Sequence, residues 1–477
     1  MSNVAHSPES HEVAASEALG KLKLTDTDSA VLTDTPAVPY VQEGDEPAAG
    51  GQDIEKSRFA ALWGILHKLV GVKDFVSMRI SLPAELLDPV PNLEHWNYME
   101  RPDYFARLSD PEDPIDRMLG VAAWWFTKDL KYVHHKLKKP YNSILGEQFL
   151  CYWLVDDTAG TATNGGVRSG TESSGSQVGS EVDVASTTVV DGAGPARRSD
   201  AGKRRVEYIT EQVSHHPPIS AYHYRCLEKD IHATGLDHIC AKFTGTSIKV
   251  EPGERAKGLY LRLGQRDNEE YVLTHPTGNV TGFLRGQLAV QVSDSSVITC
   301  AKTGLALYIS YKEERWFGKA KHAIEGKLFR YDPNSTKSPS PDRLKIADIP
   351  KAQVLATLEG SWRGQIHVRR TTAATGRKSS DPQLLVDMES IQSLPKQVKP
   401  LESQGELESR KVWADVTTNI LAGKFSAATK AKHAIEDRQR AKANEAKKVN
   451  REFQPEFFDF HPDDDCRPIL KERTFNV

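Results

Sequence analysis

From about Val206 to Val368, the chain consists mainly of short segments in which apolar and polar residues alternate, separated by Gly, Pro, Asn or Asp. The segments "GLYLRLG", "SVITC" and "LALYISYKEE" are examples. Alternation places successive side chains on opposite faces of a strand. Many short strands separated by turn residues are typical of a large antiparallel sheet or barrel. The pattern therefore predicts a mainly β protein.

Helical periodicity occurs on both sides of this region. Between Gln52 and Val70 the apolar residues are spaced as on one face of a helix, and Gly71 is placed as its C-terminal cap. After Gly405 the composition changes to one that favours helix, and this helical segment ends near Pro455. We therefore expect a short amphipathic helix before the sheet and a helical part after it.

Two segments are too polar to bury a core of their own. Residues 1–50 mix Ser, Thr, Glu, Pro and Ala without a period, and residues 156–205 are rich in Gly, Ser and Thr. Both compositions are typical of disorder. The apolar sequences "EQFLCYWLV" and "VEYITEQV" flank the second segment and are predicted to be strands. The second segment is therefore interpreted as a disordered insertion within one domain.

Composition restricts the class of protein and its compartment. Among 477 residues, 62 Lys and Arg oppose 65 Asp and Glu, so net charge does not indicate a nucleic-acid partner, and we expect none. Five scattered cysteines without CxxC spacing favour reduced thiols over disulfides or a zinc site. The first residues resemble no secretory signal, and the best apolar run, Leu119 to Phe126, is too short to span a membrane. We expect a protein of the cytoplasm.

The most unusual motif is "EQVSHHPPIS", in which His215 and His216 precede two prolines. Proline fixes its own backbone and disfavours helix before it, so the histidines lie on a stiff extended segment. Adjacent strand residues point to opposite faces, which makes the pair a poor metal site. Imidazoles that donate to a phosphate fit better. A structural strand-end role and a phosphohydrolase that uses either histidine remain as alternatives.

Two further groups of polar residues are candidates for binding an anion. In "KLKKPYNSILGE", Lys139 and Asn142 form either an ordinary basic turn or a site for phosphate or polyol. Lys432, Glu436 and Arg440 recur at i, i+4 and i+8, on one face of the C-terminal helix. That face is either a solvated charge ladder or part of a site. Residues 424–451 contain nine Lys or Arg and three acids, which favours an anionic membrane surface as a partner.

Near the C-terminus, "PEFFDFHPDDD" contains Phe457 and Phe458 in an acidic context. One interpretation is a peptide that docks to a tether protein of the endoplasmic reticulum. The alternative, which we favour, is that the phenylalanines pack the end of the chain onto the core.

Together, "EQVSHHPPIS", "KPYNSILGE", "LESRKVWADV" and the Lys432, Glu436 and Arg440 spacing resemble the oxysterol-binding protein family of lipid-exchange proteins. The resemblance runs from about Phe59 to Phe460, outside the 156–205 insertion. Stretches such as "ISLPAELLDPVPNLEHW" and "LTHPTGNVTGFLRG" look most like the short fungal branch that carries phosphatidylserine.

The resemblance implies a mainly β fold with α-helices: a large incomplete antiparallel β-barrel around a lipid tunnel, an N-terminal amphipathic lid and a C-terminal helical subdomain. The implied boundaries are a tail at 1–50, a lid and entry segment at 51–88, a barrel domain at 89–405 and the helical part of the same domain at 406–477. By the same resemblance, the lipid head group would be bound by Lys139, Asn142, His215, His216, Lys432, Glu436 and Arg440. The residues implied to line the tunnel or lid are Leu66, Leu69, Leu82 and Ser247.

We therefore expect a lipid-transfer protein without enzymatic activity, cofactor or metal. It would exchange phosphatidylserine for phosphatidylinositol 4-phosphate, acting peripherally at contacts between the endoplasmic reticulum and the plasma membrane. Its partners would be phospholipids, anionic membrane surfaces and, as one possibility, a tether of the endoplasmic reticulum. A sterol in place of phosphatidylserine is the first alternative. The phosphohydrolase is disfavoured, because no positioned acid, metal set or Gly-rich phosphate loop accompanies the histidines.

Overall fold

The fold is described from a computed structural model of the chain. The described residues are 74, 84, 87–134, 139–156, 202–282, 288–312, 321–335, 341–371, 381–461, 464–473, 475 and 477. Helices are numbered α1 to α7 and strands β1 to β19 in chain order.

The helices are α1 (Asn92–His95), α2 (Pro102–Phe105), α3 (Pro114–Thr127), α4 (Leu130–His134), α5 (Ser409–Val412), α6 (Ala414–Leu421) and α7 (Phe425–Lys448). The strands are β1 (Leu87–Pro91), β2 (Lys139–Tyr141), β3 (Gln148–Asp156), β4 (Lys203–His215), β5 (Pro218–Cys226), β6 (Ile231–Phe243), β7 (Ile248–Pro252), β8 (Leu259–Leu263), β9 (Glu269–Leu273), β10 (Thr277–Thr281), β11 (Ala289–Ser293), β12 (Ser295–Cys300), β13 (Leu305–Tyr311), β14 (Ala323–Arg330), β15 (Val354–Ser361), β16 (Gln365–Arg370), β17 (Gln383–Asp387), β18 (Phe458–His461) and β19 (Asp464–Leu470).

Fifteen of these strands form one antiparallel sheet that branches at β6. One edge of β6 pairs with β5, which continues to β4 and β3. The other edge pairs with β8 over the first part of β6 and with β7 over the second part. From β8 the sheet continues through β9 and β12 to β17, and from β7 it continues to β10 and β11. Within the described residues, β3 and β17 are not paired with each other, so the sheet stays open.

The main core lies between the sheet and helix α3. This helix begins at Pro114, and the preceding Asp113 caps it by accepting a hydrogen bond from the backbone N–H of Ile115 at 2.8 Å. Its last turns bury Trp124, Trp125 and Phe126 among strand side chains. The apolar run that is too short to span a membrane is therefore a buried helix of the core. None of the helices within the described ranges is long and apolar enough to cross a bilayer.

The C-terminal part closes over one end of β3 to β5. Helices α6 and α7 pack with β2 in a second apolar cluster that includes Tyr141, Trp413 and Ile435. The two-stranded β18–β19 sheet places Phe457 and Phe458 in a third cluster beside strands β3 to β6. The interpretation of these phenylalanines as anchors is confirmed.

The predicted mainly β fold with a C-terminal helical part is confirmed, and the sheet is large, antiparallel and not closed. The sequences predicted to flank an insertion are β3 and β4, which pair directly from Asp156 and Lys203 onward. The insertion itself, except at its two ends, and the predicted helix at residues 52–70 lie outside the described residues. The domain boundaries therefore remain a prediction. All five cysteines lie in described positions, and none forms a disulfide.

Candidate functional site

The first part of the candidate site is the turn that follows β2. Lys139 Nζ donates to Asn142 Oδ1 at 2.5 Å, and both residues are exposed. Tyr141 between them is buried; its ring centroid lies 5.0 Å from that of Trp413, and its hydroxyl lies 3.0 Å from Thr417 Oγ1. The buried Tyr141 anchors β2 on the helical part of the protein, while Lys139, at the first position of the strand, is exposed.

The second part lies on α7. Only 4% of Lys432 is exposed, and its Nζ donates to Glu436 Oε1 at 2.7 Å. The spacing i, i+4 makes the two side chains neighbours on one helix face. Ala428 and Ile435 are buried on the same helix. The helix face that packs against the body of the protein therefore also carries a nearly buried ammonium group.

These two parts of the site interact electrostatically. Desolvation lowers the pKa of Lys139 to about 8, and the positive charge of Lys432 lowers it further, against an opposing effect of Glu436. Lys139 is exposed, and its surroundings nevertheless desolvate its ammonium group. We call the group formed by Lys139, Asn142, Lys432 and Glu436 the charged recess. Two ammonium groups and one carboxylate leave the recess with excess positive charge. Such a recess favours an anionic group.

The histidine pair forms the tip of the β4–β5 hairpin. His215 ends β4 and is exposed, His216 is half-buried, and their ring centroids lie 4.5 Å apart. The peptide bond between His216 and Pro217 is cis. Ser214 Oγ donates to the carbonyl of Pro217 at 2.7 Å across the turn. The prolines and this hydrogen bond hold the two rings in a fixed loop, as the sequence predicts.

Backbone hydrogen bonds place this hairpin tip beside the turn that carries Asn142. The N–H of Gly146 donates to the carbonyl of Gln212 at 2.9 Å, and the N–H of Gln212 donates to the carbonyl of Glu147 at 2.8 Å. Asn142 precedes this pairing by four residues, and His215 follows it by three. Both motifs therefore lie at the same end of β3 and β4. We call this end, residues 139–147 and 211–218, the rim.

Sequence reasoning missed Glu147, the last residue of the "KPYNSILGE" motif. Its buried carboxylate accepts hydrogen bonds from the N–H of Ile144 at 2.9 Å, from Ser409 Oγ at 2.7 Å and from Trp413 Nε1 at 3.0 Å. Desolvation raises its pKa to about 7. One carboxyl group thus joins the rim to α5 and to the start of α6. Both side-chain donors, Ser409 and Trp413, lie in the motif "LESRKVWADV". The presence of both motifs in one sequence was the signal from which this contact could have been predicted.

Glu211, the first residue of the histidine motif, was also missed. It is buried, and its two carboxylate oxygens accept from the N–H groups of Glu456 and Phe457, each at 2.7 Å. Burial raises the pKa of the Glu211 carboxyl. The motif therefore combines an exposed and a half-buried histidine with a carboxylate that holds the C-terminal strand pair to β4. An acid in a strand motif is not by itself a signal for such a contact.

The remaining predicted residues lie elsewhere. Arg440 is 63% exposed, and its guanidinium pairs with Asp437 on the outer part of α7. Ser247 is half-buried in the turn between β6 and β7, where its hydroxyl lies 2.8 Å from that of Thr244. The predicted tunnel and lid residues Leu66, Leu69 and Leu82 lie outside the described residues. Of the seven predicted head-group residues, Lys139, Asn142, Lys432 and Glu436 form the charged recess, and the histidines share its rim.

A separate polar group lies inside the aromatic core. Tyr98 donates from its hydroxyl to Asp237 Oδ1 at 2.5 Å, and desolvation raises the pKa of Asp237 to about 7. The Tyr98 ring lies 5.3 Å from that of Tyr222. The hydroxyl of Tyr222 is buried beside Tyr98 and close to Asp237.

Comparison with known proteins relates this arrangement to a family. A family model described as "Oxysterol-binding protein" matches residues 61–474. The chain is 37% identical to the oxysterol-binding protein-like protein 1 of Schizosaccharomyces pombe, over 91% of this chain and 93% of that protein. It is 31% identical to the human oxysterol-binding protein-related protein 9, over 90% of this chain and 50% of that protein. The chain thus spans about half the length of the human relative.

Solved structures of the same fold include two ORD domains. The Osh1 ORD domain in complex with cholesterol matches with a TM-score of 0.57 and 19% identity, over 90% of this chain and 87% of that domain. The Osh3 ORD from Saccharomyces cerevisiae in complex with PI(4)P matches with a TM-score of 0.56 and 17% identity, over 86% of this chain and 90% of that domain. At these identities the likeness bears on the fold alone.

Proposed function

Because the chain belongs to the oxysterol-binding protein family, we propose that it is a lipid-transfer protein that exchanges phosphatidylserine for phosphatidylinositol 4-phosphate. In this proposal it works between the endoplasmic reticulum and the plasma membrane and catalyses no reaction. The choice of phosphatidylserine rests on the resemblance of the sequence to the short fungal branch of the family. The observation that carries the phosphoinositide is the charged recess, where the nearly buried Lys432 lies close enough to lower the pKa of Lys139.

A phosphorylated inositol suits this recess chemically. Its 4-phosphate would accept hydrogen bonds from the ammonium groups and from the two rim histidines, and its negative charge would favour their protonated forms. Asn142 and Glu436 would serve the inositol hydroxyls or hold the lysines. Phosphatidylserine has no second phosphate, so it depends less on these donors. The exchange therefore needs the rim for one lipid more than for the other.

The test is to replace His215 and His216 with Ala and to measure extraction of each lipid from vesicles separately. Charge-assisted hydrogen bonds contribute roughly 1.5 to 3 kcal/mol each, so we expect phosphatidylinositol 4-phosphate extraction to weaken more than about tenfold. Phosphatidylserine extraction should persist, while exchange of the two lipids stops. Equal loss of extraction of both lipids would mean that the histidines stabilise the fold. Unchanged extraction of both lipids would mean that the histidines do not contact the phosphate.

A sterol in place of phosphatidylserine is the second candidate. The polar pair of Tyr98 and Asp237 inside an otherwise aromatic core favours a ligand that is apolar except for one hydroxyl. Native mass spectrometry of the lipids that copurify with the full chain distinguishes the two candidates. Measuring phosphate release from phosphatidylinositol 4-phosphate tests the phosphohydrolase, and sustained release at low protein concentration would overturn a carrier role.

A further inference from the structure

The outer half of α7 has almost no contact with the body of the protein. All three residues that the helix buries, Ala428, Lys432 and Ile435, lie in its first half. From Asp437 to Lys448 every residue is exposed except the half-buried Gln439 and Ala446. Twelve helical residues extend over about 18 Å. We call residues 437–451 the basic arm.

The basic arm concentrates positive charge in a chain whose net charge is −3. It contains six cations and two acids, Asp437 and Glu445, for a local net charge of 6 − 2 = +4. All six cations are exposed: Arg438, Arg440, Lys442, Lys447, Lys448 and Arg451. Arg440 pairs with Asp437, and the other five form no ion pair with any described residue. The basic arm therefore presents five exposed cations that no acid of the described residues neutralises by direct contact.

The basic arm is attached to the candidate site at both ends. It begins directly after Glu436, the partner of Lys432. Beyond its other end, Phe453 packs on the rim so closely that a Cβ atom at Gly146 would lie 3.2 Å from Cε2 of its ring. Both ends of the basic arm therefore lie close to the candidate site, and a surface that binds the arm lies near the rim.

Apolar side chains accompany the cations at the end of the arm. Val449 is 65% exposed and Phe453 is 38% exposed. The boundary region of a lipid bilayer accepts both apolar side chains and cations, whereas an acidic polypeptide or a nucleic-acid backbone mainly offers charge. An anionic bilayer is therefore the partner that matches both features.

We propose that the basic arm docks on an anionic bilayer and turns the rim toward the membrane from which lipid is taken. This inference rests on the proposed lipid-transfer function and adds a docking surface that is distinct from the head-group recess. Docking and cargo binding then use different cations on one helix. Lys432 serves the recess, and Lys442, Lys447, Lys448 and Arg451 serve the bilayer surface.

The experiment measures sedimentation of the full chain with vesicles of phosphatidylcholine alone or mixed with phosphatidylglycerol. Phosphatidylglycerol is anionic but is neither of the proposed cargo lipids. The arm variant carries K442Q, K447Q, K448Q and R451Q. The matched control removes four exposed cations on and after β14, through R330Q, R343Q, K345Q and K351Q, for the same change in net charge. Circular dichroism checks that the helix content of both variants is unchanged.

The unmodified chain should bind the mixed vesicles and release them as salt rises. The arm variant should bind at least about tenfold more weakly, because each cation near an anionic surface adds a several-fold factor. The control variant should bind like the unmodified chain. The inference would be overturned if the arm variant bound as tightly as the unmodified chain, or if the control variant lost as much binding as the arm variant. It would also be overturned if the unmodified chain did not bind the mixed vesicles.

A separate readout keeps this outcome distinct from the proposed function. Loading of phosphatidylinositol 4-phosphate from detergent micelles requires the recess but no bilayer surface, so the arm variant should load as well as the unmodified chain. If the unmodified chain failed to load from micelles while still binding the mixed vesicles, the proposed cargo would be wrong and the docking surface would stand. If the arm variant alone failed to load, the arm cations would belong to the recess, and the inference would be wrong.

Discussion

The rim and the outer half of α7 both carry candidate charged groups, but they are held in place very differently. At the rim, the buried carboxyl groups of Glu147 and Glu211 accept five hydrogen bonds, one from within the turn and four from the C-terminal part. On the outer part of α7, Arg440 is held by a single exposed pair with Asp437. The rim suits groups that must meet a phosphate in a fixed geometry. The outer part of α7 suits contact with a mobile surface such as a membrane.

Among the substitutions that test this difference, removal of the Glu147 carboxyl group should have the largest effect on stability. Replacing Glu147 with Ala leaves the buried N–H groups of Ile144 and Trp413 without an acceptor, while the hydroxyl of Ser409 keeps the carbonyl of Gln148. The free energy of unfolding should therefore fall by about 2 kcal/mol or more. Thermal unfolding followed by circular dichroism measures the loss. Glu147→Gln is the matched control, because the amide keeps one acceptor oxygen and the size of the side chain. If the Ala variant were as stable as the Gln variant, the rim would not depend on this carboxyl group.

The same residue should make stability depend on pH. Burial raises the pKa of Glu147 to about 7, so between its unfolded value near 4.5 and 7 the folded state holds a proton that the unfolded state has lost. Stability from this group is therefore complete below pH 4.5 and decreases as pH rises through 7. In Glu147→Gln the midpoint of thermal unfolding should change less between pH 5 and pH 7.5 than it does in the unmodified chain. An unchanged slope would contradict the assignment.

Breaking the Glu211 contact should have the next largest effect, and it should be local. Glu211→Ala removes the acceptor for the N–H groups of Glu456 and Phe457, so the β18–β19 pair should open more readily. We expect hydrogen exchange of residues 456–470 to accelerate by about tenfold or more, since each buried unpaired donor costs about 1 to 3 kcal/mol. The control is Glu359→Ala, which removes a 63% exposed acid from β15. Faster exchange throughout the sheet would mean that Glu211 supports the whole fold.

The strands and the buried phenylalanines were predictable because each depends on a local pattern. Alternation places one face of a strand in the core, and adjacent aromatic residues at a chain end need burial. The candidate residues Lys139, Lys432, His215 and His216 could also be named from motifs. Their supports could not: Ser409 meets Glu147 across 262 positions of sequence, and Glu211 meets Glu456 across 245. No periodicity links such distant positions, so only the folded chain reveals which polar residues are structural.

The charge ladder shows the limit of spacing as a guide. Residues at i, i+4 and i+8 share a helix face, but the body of the protein covers only part of α7. Lys432 and Glu436 lie where the helix is supported, while Arg440 lies where it is exposed. A sequence gives the face of a helix more readily than the point along its length at which packing ends.

Binding at the rim should depend on the charge of Lys139. Desolvation and the charge of Lys432 lower the pKa of Lys139 to about 8, so the free protein loses this positive charge as pH rises through 8. Affinity for phosphatidylinositol 4-phosphate should therefore fall above pH 8, by up to about tenfold per unit while a proton must be taken up on binding. Lys139→Arg should flatten this dependence, since guanidinium stays charged. Lipid loading from micelles between pH 7.5 and 9.5 measures the pH dependence of the unmodified chain and of Lys139→Arg. If the two pH dependences were equal, Lys139 would not contact the phosphate.

The smallest effect is expected at Arg440, and it separates the two halves of α7. Arg440→Gln breaks only an exposed pair with Asp437, so loading of phosphatidylinositol 4-phosphate should change by less than about threefold. Lys432→Gln, on the same helix and with the same loss of charge, should reduce loading by more than about tenfold, because it removes a nearly buried ammonium group from the recess. If both variants lost loading equally, α7 would deliver Arg440 to the lipid after all, and the division between recess and basic arm would have to begin beyond residue 440.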